Sequence, residues 1–407
     1  GQFRELAGRH GGVGPLGELI RSLRPRRVLE IHKLGPVKTN AAILWEYGSN
    51  WTVEEIDLDP PGDGEVLVSW EATGLCHSDE HIRTGDLPAP LPLIGGHEGA
   101  GIVREVGAGV VGLAPGDHVV ASFLPACGRC RFCSTGHQNL CDLGAMIMAG
   151  TQLDGTYRRH HASGQDIGVM ALVGTFSQYG TVPEASIVKI DDDIPLSRAC
   201  LLGCGVTTGW GSAVNTADVQ PGDTVVVIGF GGIGSGAVQG ARLAGAEKIV
   251  VVEPVEQKRE KAIQLGATHF VTSLPEATAL VAELTRGVMA DSAILTVGLL
   301  EGSMLEDAAN IIRKGGAVVM TALSTMADSS PTLGMMMFTL FQKRLLGSLY
   351  GEANPRADIP RLLSLYREGK LLLDETVTHE YKLAEVNEGY EDMREGRNIR
   401  GVILHDH

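Results

Sequence analysis

A chain of 407 residues can hold two ordinary domains with sizeable cores. With 43% hydrophobic and 20% charged residues it is globular in character, and no apolar run approaches the roughly 18 residues of a membrane span. A net charge of −15 argues against nucleic acid or an anionic membrane surface as a partner, and seven cysteines suit a reducing, cytoplasmic setting.

Residues 1–37 carry seven Lys/Arg against three acids, a local +4 that leaves −19 on residues 38–407. They lack the apolar core and small-residue cleavage site of a secretory signal. A single serine and three glutamates also argue against a transit peptide. The expectation is an N-terminal extension, flexible or foreign to the fold. From Lys38 the pattern turns β-rich. AAILWEY, EVLVSW, GAGIVREVG and DHVVASF are short runs separated by turn clusters such as Asp59-Pro60-Pro61-Gly62 and Pro115-Gly116-Asp117.

Next come Cys127, Cys130, Cys133 and Cys141 in the string CGRCRFCSTGHQNLC. Four thiolates so close together make a cage for one tetrahedral zinc, and a cage with no open position is structural rather than catalytic. Paired disulfides or unliganded thiols are the alternatives; dense cysteine in a large, non-secreted chain favours metal.

From about Thr207 to Leu349 the rhythm changes to strand and helix in alternation. TVVVIGF, GSGAVQGARLAGA, KIVVVEP, VEQKREKAIQLGA, SAILTVG and GGAVVMTAL predict a parallel, doubly wound sheet. Gly229, Gly231, Gly232 and Gly234 follow the first of these strands and open a helix, and Glu253 ends the next strand 19 residues after Gly234. That is the setting of a dinucleotide fingerprint: tight turn, close approach to the pyrophosphate, and helix N-terminus. Glu253 is placed to accept from the adenosine ribose hydroxyls and to repel a 2′-phosphate, which favours NAD over NADP. Lys258, five residues on, packs beside the adenosine or is a solvated helix charge. From about Tyr350 the pattern gives one amphipathic helix, IPRLLSLYREGKL, and a closing strand, IRGVILH.

Cys76 in GLCHSDEH, His97 in GGHEGAG and Cys204 in GCGVTTGWG remain as ligand candidates. Two thiolates and an imidazole would leave the fourth zinc position open, but their wide spacing alone does not establish a site. The order GLCHSDEH, GHEGAG, the four-cysteine lobe, GTFSQY, GCGVTTGWG and GFGGIG resembles the zinc-dependent medium-chain alcohol dehydrogenases from about Lys38 onward. In overall texture (KTNAAILWEYGS, GQDIGVMALVGTFSQY, KIDDDIP) it is most similar to actinobacterial nicotinoprotein alcohol dehydrogenases. These NDMA-dependent enzymes, some of them associated with mycofactocin, retain NAD and re-oxidise it in place with an external electron acceptor.

The resemblance implies an α/β fold with a GroES-like β-rich catalytic domain at 38–205, a Rossmann cofactor domain at 206–349 and a return to the catalytic domain at 350–407. It also implies two zinc ions per chain and NAD, with a small alcohol or aldehyde as substrate. Cys76, His97 and Cys204 become the catalytic zinc ligands, Glu98 a second-sphere acid, and Asp79 the residue that orients His97. Cys200 is packing. Ser78 would take the alcohol proton and pass it through a nicotinamide-ribose hydroxyl to His81. Thr208 would pack on the nicotinamide, His77 and Arg400 would contact the pyrophosphate, and Phe123 would wall the substrate pocket. His77 departs from the arginine of some relatives. A homo-oligomer, dimer or tetramer, is implied, with Gly334–Phe341 (GMMMFTLF) as a candidate surface or else a core helix.

Within the family, a glutathione-dependent formaldehyde dehydrogenase would need a basic anchor after the cysteine lobe. None stands between Cys141 and Tyr157, in DLGAMIMAGTQLDGT. Polyol or threonine dehydrogenases usually replace the second cysteine ligand with glutamate, which Cys204 opposes. A non-catalytic NAD- or zinc-binding protein would have a broken metal triad or relay, and here both are complete.

Overall fold

The computed structural model describes residues 37–325, 331 and 333–407, so the expected N-terminal extension lies outside them apart from Val37. The turn-punctuated part of the chain supplies ten strands. These are β1 (Val37–Leu44), β2 (Thr52–Leu58), β3 (Glu65–Gly74), β4 (Leu93–Ile94), β5 (Gly99–Val106), β6 (His118–Ala121), β7 (Arg159–His161), β8 (Gly168–Val169), β9 (Tyr179–Pro183) and β10 (Ile187–Lys189). The rest of the chain supplies β11 (Thr224–Ile228), β12 (Lys248–Val252), β13 (His269–Val271), β14 (Ala290–Leu295), β15 (Ile312–Met320), β16 (Arg344–Gly347), β17 (Val377–Lys382) and β18 (Arg400–Leu404).

Two sheets are β-rich. One runs β7-β2-β1-β4-β8; the other runs β10-β6-β5-β3-β18-β17, with β9 also on β3. The long strand β3 is central: antiparallel pairing sets Thr73 opposite Gly99 of β5, and Val402 of β18 opposite Gly74. The third sheet runs β13-β12-β11-β14-β15-β16, and every pair in it is parallel. Renumbered within this sheet the order is 3-2-1-4-5-6, and the strand order reverses between β11 and β14. The valines of TVVVI and KIVVV are buried on both faces, as strands sandwiched between helices require.

Three helices place the site. Helix α1 (His77–Thr84) follows β3, α2 (Gly205–Gly211) joins the β-rich part to the parallel sheet, and α3 (Gly232–Ala244) follows the glycine turn. Helix α2 runs on into a π-helical turn, Ser212–Thr216, and packs on α3 almost backbone to backbone. A methyl group at Gly209 would overlap the Ile233 carbonyl.

The C-terminal stretch holds more than the sequence pattern predicts. Besides the amphipathic helix, here Pro355–Arg367, there is a second helix, Val386–Arg394. Its sequence VNEGYEDMR carries four charges and a glycine, so propensity hides it; the burial of Val386, Gly389 and Tyr390 makes it. The GMMMFTLF run forms the short helix Met335–Leu340, but it is no core helix. Met335 is 70% exposed and Met336 74%. No helix among the described residues is long and apolar enough to cross a membrane.

Gly209→Ala is expected to force α2 from α3 and to destabilise the protein by about 1–3 kcal/mol, the usual range for overpacking. Urea unfolding checks it; an unchanged midpoint would contradict the close contact.

Candidate metal centres and cofactor cleft

The four-cysteine lobe is a local structure. A short helix, Arg131–Ser134, folds the chain back so that the sulfurs of Cys127, Cys130, Cys133 and Cys141 all lie within 4.8 Å of one another. None is in a disulfide. Cys127 and Cys133 Sγ are 3.9 Å apart, against about 3.8 Å for two sulfurs on one tetrahedral zinc. Backbone N–H groups point at the sulfurs: Cys130 N to Cys127 Sγ at 3.3 Å, Cys133 N to Cys130 Sγ and Cys127 N to Cys141 Sγ at 3.4 Å. The Cys133 N–H is the leading cause that brings the Cys130 thiol down to about 6, while burial pushes Cys133 up to about 12. Only a cation lets all four ionise together.

The second cage is assembled from distant segments. Pairing of Thr73 with Gly99 brings the end of β3 beside the start of β5, so that Cys76, at the N-terminus of α1, meets His97. Cys204 arrives as the residue that immediately precedes α2. Donor atoms of Cys76, His97, Glu98 and Cys204 lie within 4.8 Å of one another, and all four residues are buried. Asp79 is fully buried; its Oδ2 lies 3.2 Å from His97 Nδ1 and its Oδ1 accepts the Gly96 N–H at 2.6 Å. The other ring nitrogen is thereby left for a metal. Burial alone would lower the His97 imidazole, but Asp79 and the Cys76 sulfur outweigh it and hold it at about 10. A hydrogen bond with Cys204 lowers Cys76 well below the thiol range, and the same contact, with burial, raises Cys204. One shared proton between two buried sulfurs is what a dication would replace, so the donor set fits zinc.

Glu98 is held back from this cage. Its Oε1 accepts the Gly205 N–H at 2.9 Å, and its Oε2 is bound by the Arg400 guanidinium. Both residues of this ion pair are buried. Arg400 also fills the space beside Gly232, where a side chain would collide with it. Its Nε is buried without a partner.

The cofactor fingerprint sits at the reversal point of the parallel sheet. Gly229 takes φ 96° and bonds through its N–H to Val252 O at 2.8 Å; Gly231 and Gly232 lead into α3, and Gly234 lies in its first turn. The N-terminus of α3 has no side-chain cap, so its free N–H groups fit an anionic pyrophosphate. Glu253 is buried at the end of β12. Its carboxylate accepts from Phe230 N at 2.9 Å and Val255 N at 3.0 Å, and Lys258 Nζ stands 3.5 Å from Oε2. Lys258 is therefore part of an ion pair rather than a solvated charge.

Ser78 and His81 occupy one face of α1. The Ser78 hydroxyl is 3.7 Å from Cys76 Sγ, and His81 Nε2 bonds to the Gly298 carbonyl at 2.8 Å, just beyond β14. His77 is exposed, and a side chain at Gly298 would start 3.3 Å from its ring. Thr208 is buried with Oγ1 4.0 Å from Cys204 Sγ. Phe123 stands edge-on to His97 at 5.8 Å and to Tyr350 at 4.8 Å. Cys200 is buried with its thiol on Ser197 O at 3.5 Å, as packing requires. Residues that no motif marks also belong here: Gly298, Tyr350, and the Thr321 and Ser348 hydroxyls. Thr321 and Ser348 line a cavity of about 560 Å³, together with Asn139, Leu140, Met320 and Leu349.

A closed thiolate cage, an open two-sulfur, one-imidazole cage and a dinucleotide crevice define a zinc-binding dehydrogenase. Residues 62–192 match the alcohol dehydrogenase GroES-like domain, and residues 232–368 match the zinc-binding dehydrogenase domain. The chain is 53% identical over 369 residues to the NDMA-dependent alcohol dehydrogenase of Amycolatopsis methanolica, covering 91% of this chain and 99% of that one. It is 37% identical over 379 residues to the S-(hydroxymethyl)glutathione dehydrogenase of Saccharomyces cerevisiae, covering 91% and 97%. The benzyl alcohol dehydrogenase of Acinetobacter calcoaceticus superposes with a TM-score of 0.84 at 30% identity, covering 91% of this chain and all of that one. The chain belongs to the zinc-dependent medium-chain alcohol dehydrogenase family and is an oxidoreductase acting on CH–OH groups.

Two substitutions separate the cages. Cys130→Ser is expected to lose one zinc equivalent of two and Cys204→Ser the other, measured by atomic emission; loss of both from either change would contradict two independent sites. Arg400→Met leaves the Glu98 carboxylate buried and unpaired, so it should cost about 3–5 kcal/mol in chemical denaturation. Glu98→Gln leaves the Arg400 charge buried and unpaired in its turn and should cost a similar amount.

Proposed function

We propose that this enzyme oxidises a neutral alcohol with NAD that stays bound through turnover and is re-oxidised by an external electron acceptor. The observation that carries the reading is Arg400. One buried guanidinium binds the acid behind the open cage and also abuts Gly232 of the glycine turn, so metal chemistry and cofactor share a wall. Bound there, zinc supplies Lewis acidity to the alcohol oxygen and NAD supplies a hydride acceptor.

The protein's own groups do the rest. Cys76, His97 and Cys204 hold the metal and leave one position to the substrate, while Asp79 fixes the His97 ring. Glu98, tied to Gly205 and Arg400, is the acid in reserve. Ser78, beside Cys76, would take the alcohol proton, and His81, on the same face of α1, would release it to solvent. Glu253, anchored by two backbone N–H groups, receives the adenosine ribose and disfavours a 2′-phosphate, with Lys258 beside it. His77 and Arg400 contact the pyrophosphate, Thr208 packs on the nicotinamide, and Phe123 walls the substrate side. The closed cage of Cys127, Cys130, Cys133 and Cys141 holds the structural zinc.

Several features favour a neutral alcohol over a glutathione adduct. Residues 142–156 carry no Lys or Arg. Beyond them Arg158 is occupied by Glu65 and Asp154, at 2.9 and 2.8 Å, and Arg159 is fully buried. Cofactor retention is suggested by the greater similarity to the NDMA-dependent relative. We further read residues 38–205 and 350–407 as the catalytic domain and 206–349 as the cofactor domain. The enzyme is read as cytoplasmic, where thiolates stay reduced. It is also read as a homo-oligomer formed through the exposed Met335, Met336, Met337 and Leu340 beside the edge strand β16.

Denaturing freshly purified enzyme should release about one NAD per chain, and alcohol oxidation should proceed with an artificial acceptor and no added NAD. An enzyme that contains no nicotinamide and turns over only with added NAD refutes retention. His81→Gln should lower kcat roughly 10²-fold or more, with zinc content unchanged. Met336→Glu should shift the sedimentation coefficient toward that of the monomer.

A further inference from the structure

Helix α2 and its π-helical continuation carry a stripe of polar groups at intervals of four residues: Cys204, Thr208, Ser212 and Thr216. Such spacing keeps them on one helix face. The stripe starts at a ligand of the open metal cage, and its far end meets the C-terminal ends of β15 and β16.

Ser212 is fully buried, and its Oγ has three partners: Thr208 O at 2.8 Å, Thr321 Oγ1 at 2.9 Å and Ser348 Oγ at 3.0 Å. Thr216 Oγ1 lies 2.8 Å from Ser348 Oγ. A hydroxyl has one proton to give and two lone pairs. Ser212 must donate to the Thr208 carbonyl, which has no proton, and therefore accepts from both Thr321 and Ser348. Ser348, having donated, accepts from Thr216. Every proton in the group is thus assigned, and the donations converge on Ser212, which passes its own to the Thr208 carbonyl.

Four buried hydroxyls so arranged are rigid, because moving any one of them strands another in the interior. They join three elements, α2 and the ends of β15 and β16, and the Asn215 amide adds a bond to Gly351 O at 2.9 Å. Just beyond Ser348 the backbone of Tyr350, Gly351 and Glu352 is left-handed throughout, with φ of 55°, 62° and 54°. Two of these are not glycine, so a strained segment is being held in place. Thr321 and Ser348 also line the 560 Å³ cavity.

We propose that the ladder Thr216–Ser348–Ser212–Thr321 is a positioning device for the nicotinamide end of the cofactor, and that it sets how long the cofactor stays. The proposal rests on the reading that NAD occupies the cleft. None of the four is a catalytic residue. They fix the cavity lining relative to Cys204 and Thr208, so that cofactor release requires breaking a network with no alternative partners.

The test uses pairs that keep shape but differ in one hydroxyl: Thr321→Val against Thr321→Ser, and Thr216→Val against Thr216→Ser, each in the full-length, zinc-loaded enzyme. The probe is NADH, followed by its fluorescence on dissociation into excess NAD. Each valine variant should release NADH about tenfold faster than wild type, and each serine variant within about twofold of it, with two zinc per chain retained. Valine variants that lose thermal stability but release NADH at the wild-type rate overturn the ladder and leave NAD binding intact. A wild-type enzyme that binds no NADH overturns both readings. Should Thr321→Val fail to fold, the Thr216 pair, farther from the cavity, decides alone.

Discussion

The ion pair between Arg400 and Glu98 is the contact on which the rest of the site depends. It is buried on both sides, so neither charge can be left alone without a large desolvation cost. It joins residues 302 positions apart and locks β18 beside β3, under the end of which the metal cage forms. It also keeps a fourth, negative donor from closing the cage. With two thiolates and a neutral imidazole, a bound zinc would have no net charge to spare. A carboxylate added permanently would make the centre anionic and weaken its pull on an alcohol oxygen. Holding that acid on a guanidinium keeps the electrophile strong while leaving the acid within reach.

The two cages solve one chemical problem in opposite ways. In the lobe, four sulfurs come from one short segment, and N–H groups of the same segment already point at them. A metal held there would organise a loop and leave no room for a ligand. In the other cage Cys76 and Cys204 each directly precede a helix, and His97 stands in the short link between β4 and β5. An open position survives there because no local turn closes the fourth side.

Much of this was legible in the amino-acid order. The lobe shows because its ligands are adjacent, and the fingerprint because a glycine turn between a valine strand and a helix has a fixed spacing. Cys76, His97 and Cys204 show only through resemblance, since the pairing of β3 with β5 and the entry to α2 that bring them together leave no local mark. Glu98 was legible as an acid next to a ligand, but its restraint by Arg400 and Gly205 was not. The second C-terminal helix was hidden because its charges and glycine mask an apolar face of few residues. Thr321 and Ser348 were invisible for a related reason: a threonine and a serine at strand ends are commonplace, and only the third dimension gives them a shared partner in Ser212.

The uneven reach of these contacts has a consequence for how the enzyme matures. The lobe's ligands span fifteen residues, so it can capture its metal while the remainder of the chain is still unfolded. The open cage needs Cys204, and its acid needs Arg400, which reaches it through the pairing of β18 with β3. Pairings of such long sequence separation form late. The lobe can therefore fill before the open cage is assembled. Protein starved of zinc during folding should accumulate with the lobe filled and the open cage empty, folded in outline and silent toward alcohol.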